Sequence, residues 1–500
     1  MTTRRYQPSL NRQQEMLLPS RVEDYVSQNN TVRAIDAYVN TLDLKELEFQ
    51  HTEVVITSGQ PPFNPAALLK LYLYGYLQGI RSSRKLESET RRNLEVMWLV
   101  EGLLPTYKTI ADFRKTNSAA LKAANREFLL LCKELMLLGG ETVAVDGSFF
   151  KADASKQGIY TEDKLKKQLE SLEKKITQYQ EELDKQDATD DKLDQGSLSE
   201  DKNLAEKLAL IKQKKAEKEA LQQQLKDSGE KQISTVDKDA RLLSKYGKTV
   251  AGHNVQIAVD SKHHLIVAEA VVPDGNDMQQ LAPMLEKAQD ILQSDNLDGL
   301  GDSGYYSGSQ IKACEDQNIT VYVAVPDKSK SKAKKGRLTR EQFEYDAGQD
   351  CYVCPQGEKL TRRGKSIQKG GKNYLRYKSG EAVCAECPMR KKCLGERSKS
   401  KHIERWEHED VVDRHKQRMA ENPDKMRQRA ALAEHPFGTL KHRAGMNHFL
   451  MRGLEKCGGE FSLMVLGYNF TRVINLLGVD FLRDYCDQRQ GNELKNSQCA

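Results

Sequence analysis

The chain has 500 residues, of which 38% are hydrophobic and 30% charged, with a formal net charge of +6. That length exceeds one ordinary core and implies roughly two to four domains, while the modest charge permits nucleic-acid binding without requiring it, because a patch matters more than a total. No apolar run approaches the roughly 20 residues that span a bilayer. The start, MTTRRYQPSLNRQQ, has no apolar stretch after its charges, so neither a secretory signal nor a membrane partner is expected. Cytoplasm is then the expected location, and the ten cysteines are expected to be reduced, with close pairs favouring metal over disulfides.

Residues 1–138 read as an all-α domain. The stretch PAALLKLYLYGYLQGIRSSRKLESETRRNLEVMWLVEGL sets apolar residues at three- and four-residue steps, with Pro62 and Pro65 at its entry and a basic turn at Arg81 to Arg84. YKTIADFRKTNSAALKAANREFLLLCKELMLLGG follows and closes on a glycine pair that suits a helix stop. At Glu141 the pattern changes, and ETVAVDGSFF reads as a core strand ending in a turn at Asp146-Gly147. GHNVQIAVDSKHHLIVAEAVV reads as two strands joined near Ser261 and Lys262, QQLAPMLEKAQDIL as an amphipathic helix, and LDGLGDSGYYSG and ITVYVAVP as further strands. This alternation over 139–159 and 232–327 predicts a mixed α/β sheet, completed by helices in 411–485 and followed by a tail at 486–500.

Two insertions interrupt the sheet. In 160–231, Leu165, Leu169, Leu172, Ile176, Tyr179 and Leu183 alternate steps of four and three, the spacing of a coiled coil. After the polar break KQDATDDKLDQGSLSE the pattern returns less regularly at Leu204, Leu208, Ile211, Leu221 and Leu225, predicting an antiparallel hairpin. The second insertion, 328–410, opens with KSKSKAKKGRLTR, is polar throughout and carries half of the cysteines.

Metal-assisted phosphoryl transfer needs carboxylates converging on two divalent ions about 4 Å apart. Asp146 and Asp302 each end an apolar strand and precede a small residue; Asp260 also ends a strand, so position alone does not exclude it. Each also suits an ordinary turn. Glu434 lies in RQRAALAEHPFGTLKHRAGMNHFLMRG among Arg427, Arg429, Arg443 and other cations. Lys441, seven residues on, shares its helix face if Pro436 sits in a first turn.

These contexts, in this order, are similar to the DDE-type insertion-sequence transposases of bacteria. The similarity extends over SSRKLE, TIADFRK, VAVDGSFFKADASK, GHNVQIAVDSKHHLIVAEAVVPDGND, GDSGYYSG, EHPFGTLK, FLMRG and YNFTRVINLL. The resemblance implies an N-terminal helical domain that binds DNA and a catalytic core of the ribonuclease H type. It implies that Asp146, Asp302 and Glu434 bind two magnesium ions, with manganese as a substitute, and that Lys441 contacts DNA near the reacting phosphate. Related groups often carry a tyrosine and then an arginine before the glutamate; here Met426, Arg427 and Arg429 stand there. The implied partners are terminal inverted repeats and target DNA in a nucleoid-associated complex. Synapsis of two ends implies a homodimer, with the coiled-coil insertion as an interface.

Cys351 and Cys354 form one C-x2-C pair and Cys384 and Cys387 another, with Cys393 close behind, a pattern that points to structural zinc. Spacing alone favours the two pairs; the resemblance favours Cys354, Cys384, Cys387 and Cys393, leaving Cys351 in competition. KSKSKAKKGR, TRRGKSIQKGGKNYLRYK and KHRAGMNHFLMR offer phosphate contacts, and Tyr374 and Tyr377 offer base stacking. Arg81, Arg84, Arg91 and Arg92 suit a helix-turn-helix-like reader, while His253, His263 and His264 read as structural or DNA-proximal.

Overall fold

The computed structural model describes residues 21–53, 61–190, 198–245, 247–326 and 338–498. Its first part is helical, with helices at Thr31–Asn40, Pro65–Leu77, Ser83–Arg92, Leu94–Leu99, Tyr107–Thr116 and Ser118–Glu134. Asn30 and Asn64 cap the first two by accepting the N–H of Val32 and Ala66, and Pro65 takes the first turn, where its missing donor costs nothing. The last of these helices stops before the glycine pair expected to end it. Gly139 and Gly140 instead donate to the buried carboxylate of Asp260, at 3.0 and 3.1 Å. Lys262 N donates to it as well, at 3.0 Å, so Asp260 ties a turn and is not free for a metal.

The strands, in chain order, are β1 (Thr142–Lys151), β2 (Ile159–Thr161), β3 (Gln232–Ser234), β4 (Arg241–Lys245), β5 (Lys248–Asp260), β6 (Ile266–Val272), β7 (Leu297–Gly301) and β8 (Ile319–Val323). β5 lies antiparallel to β1 and carries β4 and β6 on its other edge. β7 pairs parallel with β1, and β8 parallel with β7. The chain does not turn at Asp146-Gly147. Gly147 to Lys151 stay paired with Gln256 to Gly252 of the long β5, so ladder hydrogen bonds override the local turn preference.

Alternation along β1 sends Val143 and Val145 into an apolar layer with Leu285 of the helix Leu281–Leu292 and Val321 of β8. Phe150 joins a second layer holding Phe437, Phe449 and Phe461. Helices at Glu409–Glu421, Lys425–Gly438, Leu454–Leu477 and Val479–Gln498 complete the core. The last continues through residue 486, where a tail is expected, because Leu482 and Cys486 are buried in the layer that holds Ile35 and Tyr38. No single helix among the described residues is long and apolar enough to cross a membrane.

The first insertion is two long helices, Glu162–Asp190 and Leu198–Ser228, packed together above the paired strands β2 and β3. Leu165 and Leu225 are buried near its base, and Lys215 bridges to Glu173 of the opposite helix at 3.1 Å. Lys215 is half-buried beside Ile211 and Lys218, so lysine stems fill part of the seam, and the apolar spacing of the second helix is irregular.

The second insertion is a sheet of six short antiparallel strands: β9 (Glu344–Asp346), β10 (Cys351–Val353), β11 (Lys359–Arg362), β12 (Ile367–Lys369), β13 (Lys372–Lys378) and β14 (His402–Trp406). Its small core holds Phe343, Tyr352, Leu360, Tyr377 and Ile403. Tyr377 is fully buried and donates its hydroxyl to Asp350, so it cannot stack on bases. The lysine run expected at its start falls largely on 327–337, outside the described residues.

Candidate active site

The same alternation of β1 turns Asp146, Ser148 and Phe150 toward the helix Lys425–Gly438 and the π-helical turn Thr439–Arg443 that follows it. Arg429 donates to Asp146 at 2.6 Å and lies 3.9 Å from Asp302. Two aspartates remote in sequence therefore face one guanidinium. Asp302 directly follows β7, its carboxylate capping the next turn through Gly304 N at 2.7 Å. Burial pushes the Asp146 carboxyl above its ordinary value; Arg429 opposes this and the nearby Asp302 reinforces it. The pair thus carries more negative charge than one guanidinium relieves.

Behind β1 lies a third aspartate that sequence reasoning missed. Asp277 follows β6, and its Oδ1 accepts from Asn254 Nδ2 at 2.8 Å and Gln256 Nε2 at 2.7 Å. Tyr305 donates its hydroxyl to Gln256 Oε1. Burial first, then Asp277, Asp146 and Asp302, push the Tyr305 hydroxyl well up, so all three acids act on one hydroxyl. The available signal was weak: Asp277 stands five residues past β6, in VVPDGND, where Asp274 lies nearer the strand. Gly147 leaves room for this group, since a Cβ there would lie 2.7 Å from Asp277 Oδ1 and 3.0 Å from the Tyr305 hydroxyl.

Lys441 reaches β1 from the other side, donating to Ser148 Oγ and to Phe149 O at 2.8 Å, with its ammonium 4.6 Å from the Phe150 ring. Burial and Lys245 push its pKa down to about 8, against the pull of Asp146. Pro436 lies in the last turn of its helix, not the first, and a π-helical turn carries Lys441. The face shared by Glu434 and Lys441 on a regular helix is therefore not realised. Glu434 is exposed on a helix whose buried positions are Leu432, Ala433, Pro436 and Phe437. Among the described residues it makes no hydrogen bond or ion pair.

The remaining cations are dispersed. Arg427 is exposed, 3.4 Å from Asp424, and Arg443 is exposed. Arg84 lies over the Tyr107 ring at 5.0 Å. Arg81 is buried and donates to Glu460 at 2.8 Å, so it is withdrawn from any DNA-reading surface. His253 is also buried, paired with Asp237 at 3.0 Å. Cys457 joins them in a compact group, but Asp237 already accepts from Asp239 N and Gly453 N, and Cys457 donates to Met451 O. Hydrogen bonding alone accounts for that arrangement.

In the second sheet, burial pushes the Cys393 thiol up and Cys384, Cys354 and Cys387 add to the shift, but no three of these four sulfurs lie within 4.8 Å of one another. Cys351 is buried in β10. Cys132, Cys314, Cys457 and Cys486 are free and buried, and Cys499 lies outside the described residues.

Two family profiles match the chain. One, described as a transposase domain (DUF772), covers residues 20–116, the helical part. The other, a transposase DDE domain, covers residues 353–474, from the second sheet through Glu434 and Lys441 into the helix Leu454–Leu477. No curated protein and no solved structure matches. The paired profiles, on a chain whose sheet gathers aspartates opposite the helix they cover, place this protein among the DDE-type transposases of insertion sequences, enzymes that act on DNA.

Proposed function

We propose that this transposase cuts DNA at the terminal inverted repeats of its element and joins the freed 3′-hydroxyl to target DNA, using two magnesium ions held by Asp146, Asp302 and Glu434. The supporting observation is the approach of Asp146 and Asp302 to one guanidinium, at 2.6 and 3.9 Å. Carboxylates that already gather a cation, and still leave Asp146 pushed up by burial, suit divalent metal. Bound ions would supply activation of the attacking oxygen and stabilisation of the leaving one. Glu434 is assigned as the third ligand from the resemblance; it is exposed, and the three carboxylates do not all lie within 4.8 Å of one another. Lys441, fixed by Ser148 and Phe149 beside the aspartates, holds positive charge where a scissile phosphate would lie. Arg429 is the cation that would yield the two carboxylates to bound metal.

A sheet with antiparallel β6, β5 and β1 followed by parallel β7 and β8 supports a core of the ribonuclease H type. We assign DNA contacts to Arg427, Arg443 and Arg84 as well, and a structural zinc to Cys354, Cys384, Cys387 and Cys393. The influence of Cys354, Cys384 and Cys387 on the Cys393 thiol supports that set. The helical hairpin is assigned to a homodimer in the DNA complex. We also propose a division into a helical domain, a split core and two insertions.

The test is a magnesium-dependent cleavage and strand-transfer assay on the flanking terminal repeats, with wild type and Asp302→Ala. Joined products that vanish in the variant are expected. Cleavage without joining would make the protein a nuclease, binding without cleavage by either protein an inactive binder, and equal activity of both would shift the site to other carboxylates.

A further inference from the structure

A cleft of about 770 Å³ lies where the end of the helix Pro65–Leu77 meets the π-helical turn and the helix Leu454–Leu477. His435, His442, Arg443 and Arg472 line it, and no aspartate or glutamate does. Elsewhere on the surface arginines find acids: Arg91 with Glu87, Arg92 with Glu89, Arg414 with Asp410 and Glu315. Here Arg443 makes no hydrogen bond or ion pair among the described residues. Arg472 is held in place through its Nε, which donates to His263 O at 2.7 Å. The His435 ring lies 6.0 Å from His264, and after burial Arg472 is the main influence depressing His264. The cleft therefore carries the positive charge of Arg443 and Arg472 with no acid in its lining, Asp260 opposing Arg472 at His264 from outside it.

The cleft also offers neutral donors in Gln78 and Asn475. Its position is informative. Within one turn, Lys441 points to Ser148 of β1, while His442 and Arg443 line the cleft. The two faces of that turn serve the acid pair and the cleft.

Resting on the function proposed above, we propose that this cleft binds the phosphodiester backbone of the DNA flanking the cut position, with Arg443 and Arg472 each meeting a phosphate. Single arginine contacts to duplex phosphates contribute a salt-sensitive term, with a slope of about 0.9 in log K against log salt for each. The experiment uses full-length protein without divalent metal and a labelled terminal-repeat duplex with its flank, titrated by anisotropy across a salt series. Arg443→Gln and Arg472→Gln are each expected to weaken binding and to lower the slope by about 1. Arg443 is exposed, so its variant remains informative if Arg472→Gln unfolds. A wild type that binds the duplex, with folded variants unchanged in affinity and slope, would overturn the cleft alone. Displacement of DNA by inorganic phosphate beyond that by chloride of equal ionic strength, with both slopes unchanged, would reassign the cleft to a free anion. A wild type that binds no terminal-repeat duplex would instead remove the functional reading on which the proposal rests.

Discussion

Glu460 is the test of how the helical part is joined to the core. Its carboxylate is fully buried, 2.8 Å from Arg81 and 3.7 Å from Arg114, whose side chains are 7% and 6% exposed. It also accepts the N–H groups of Leu450 and Met451 at 2.9 and 3.1 Å. Glu460→Ala leaves two buried guanidinium groups without their counter-charge and two backbone donors without their acceptor. Removing one partner of a buried ion pair costs roughly 3–5 kcal/mol, so a loss of about 4 kcal/mol is expected. Glu460→Gln keeps the shape and one good acceptor and should lose about 2 kcal/mol. The chain has two tryptophans, Trp98 and Trp406. In a Trp406→Phe background, urea unfolding followed by fluorescence reports on Trp98 of the helical part. An alanine variant within about 1 kcal/mol of its parent would refute the reasoning. The combined change Arg81→Met, Arg114→Met, Glu460→Leu should recover much of the loss, since apolar replacement of a whole buried ionic cluster is often neutral.

Three further outcomes are expected. His415 is buried and accepts from Val323 N at 3.1 Å, and burial pushes its pKa down to about 4. A depressed imidazole supports folding fully above its ordinary value near 6.5 and loses that support as pH falls toward 4, a span of roughly 3 kcal/mol; urea midpoints at pH 7.5 and 5 should fall further in wild type than in His415→Gln, the remainder coming from His264, His435 and His448, which burial also depresses. Metal analysis of purified protein should find one zinc per chain, lost in Cys354→Ser, Cys384→Ser, Cys387→Ser or Cys393→Ser and kept in Cys351→Ser; loss in the last would exchange the ligand set. Gly147→Ala would push into Gln256, Asp277 and Tyr305 and should cost about 1–3 kcal/mol and most cleavage activity; a variant of wild-type melting temperature and rate would show that the group behind β1 is dispensable.

Much of the core is readable before folding. The strands around Asp302, the pair joined near Ser261 and Lys262, and the amphipathic helix Leu281–Leu292 follow from alternation and helical spacing. What escaped has common physical causes. Asp146-Gly147 is locally a turn, and only its pairing with Ile257 and Gln256 keeps it in a strand. Arg81 looks like a surface cation because its acid, Glu460, stands far along the chain. The second sheet escaped because KLTR and KNYLRYK are short and mostly polar, their burial resting on Leu360 and Tyr377. Asp277 and Arg429 became part of the site only through tertiary contacts, which no spacing along one element reports.

The two insertions also explain how the site tolerates long interruptions between its parts. The helical hairpin leaves through β2 and returns through β3, which pair Ile159 with Ser234 and hold its ends together. The second sheet leaves after β8 and returns into the helix Glu409–Glu421, whose His415 binds Val323 at the end of β8. Each excursion is closed at its base by its own contacts. Closure entropy grows only by about 0.6 kcal/mol per doubling of loop length, so length between the bases matters little. Pairing of β1 with β7, and the packing of the helix Lys425–Gly438 on β1, then determine how Asp146, Asp302 and Arg429 meet, whatever sequence is carried in between.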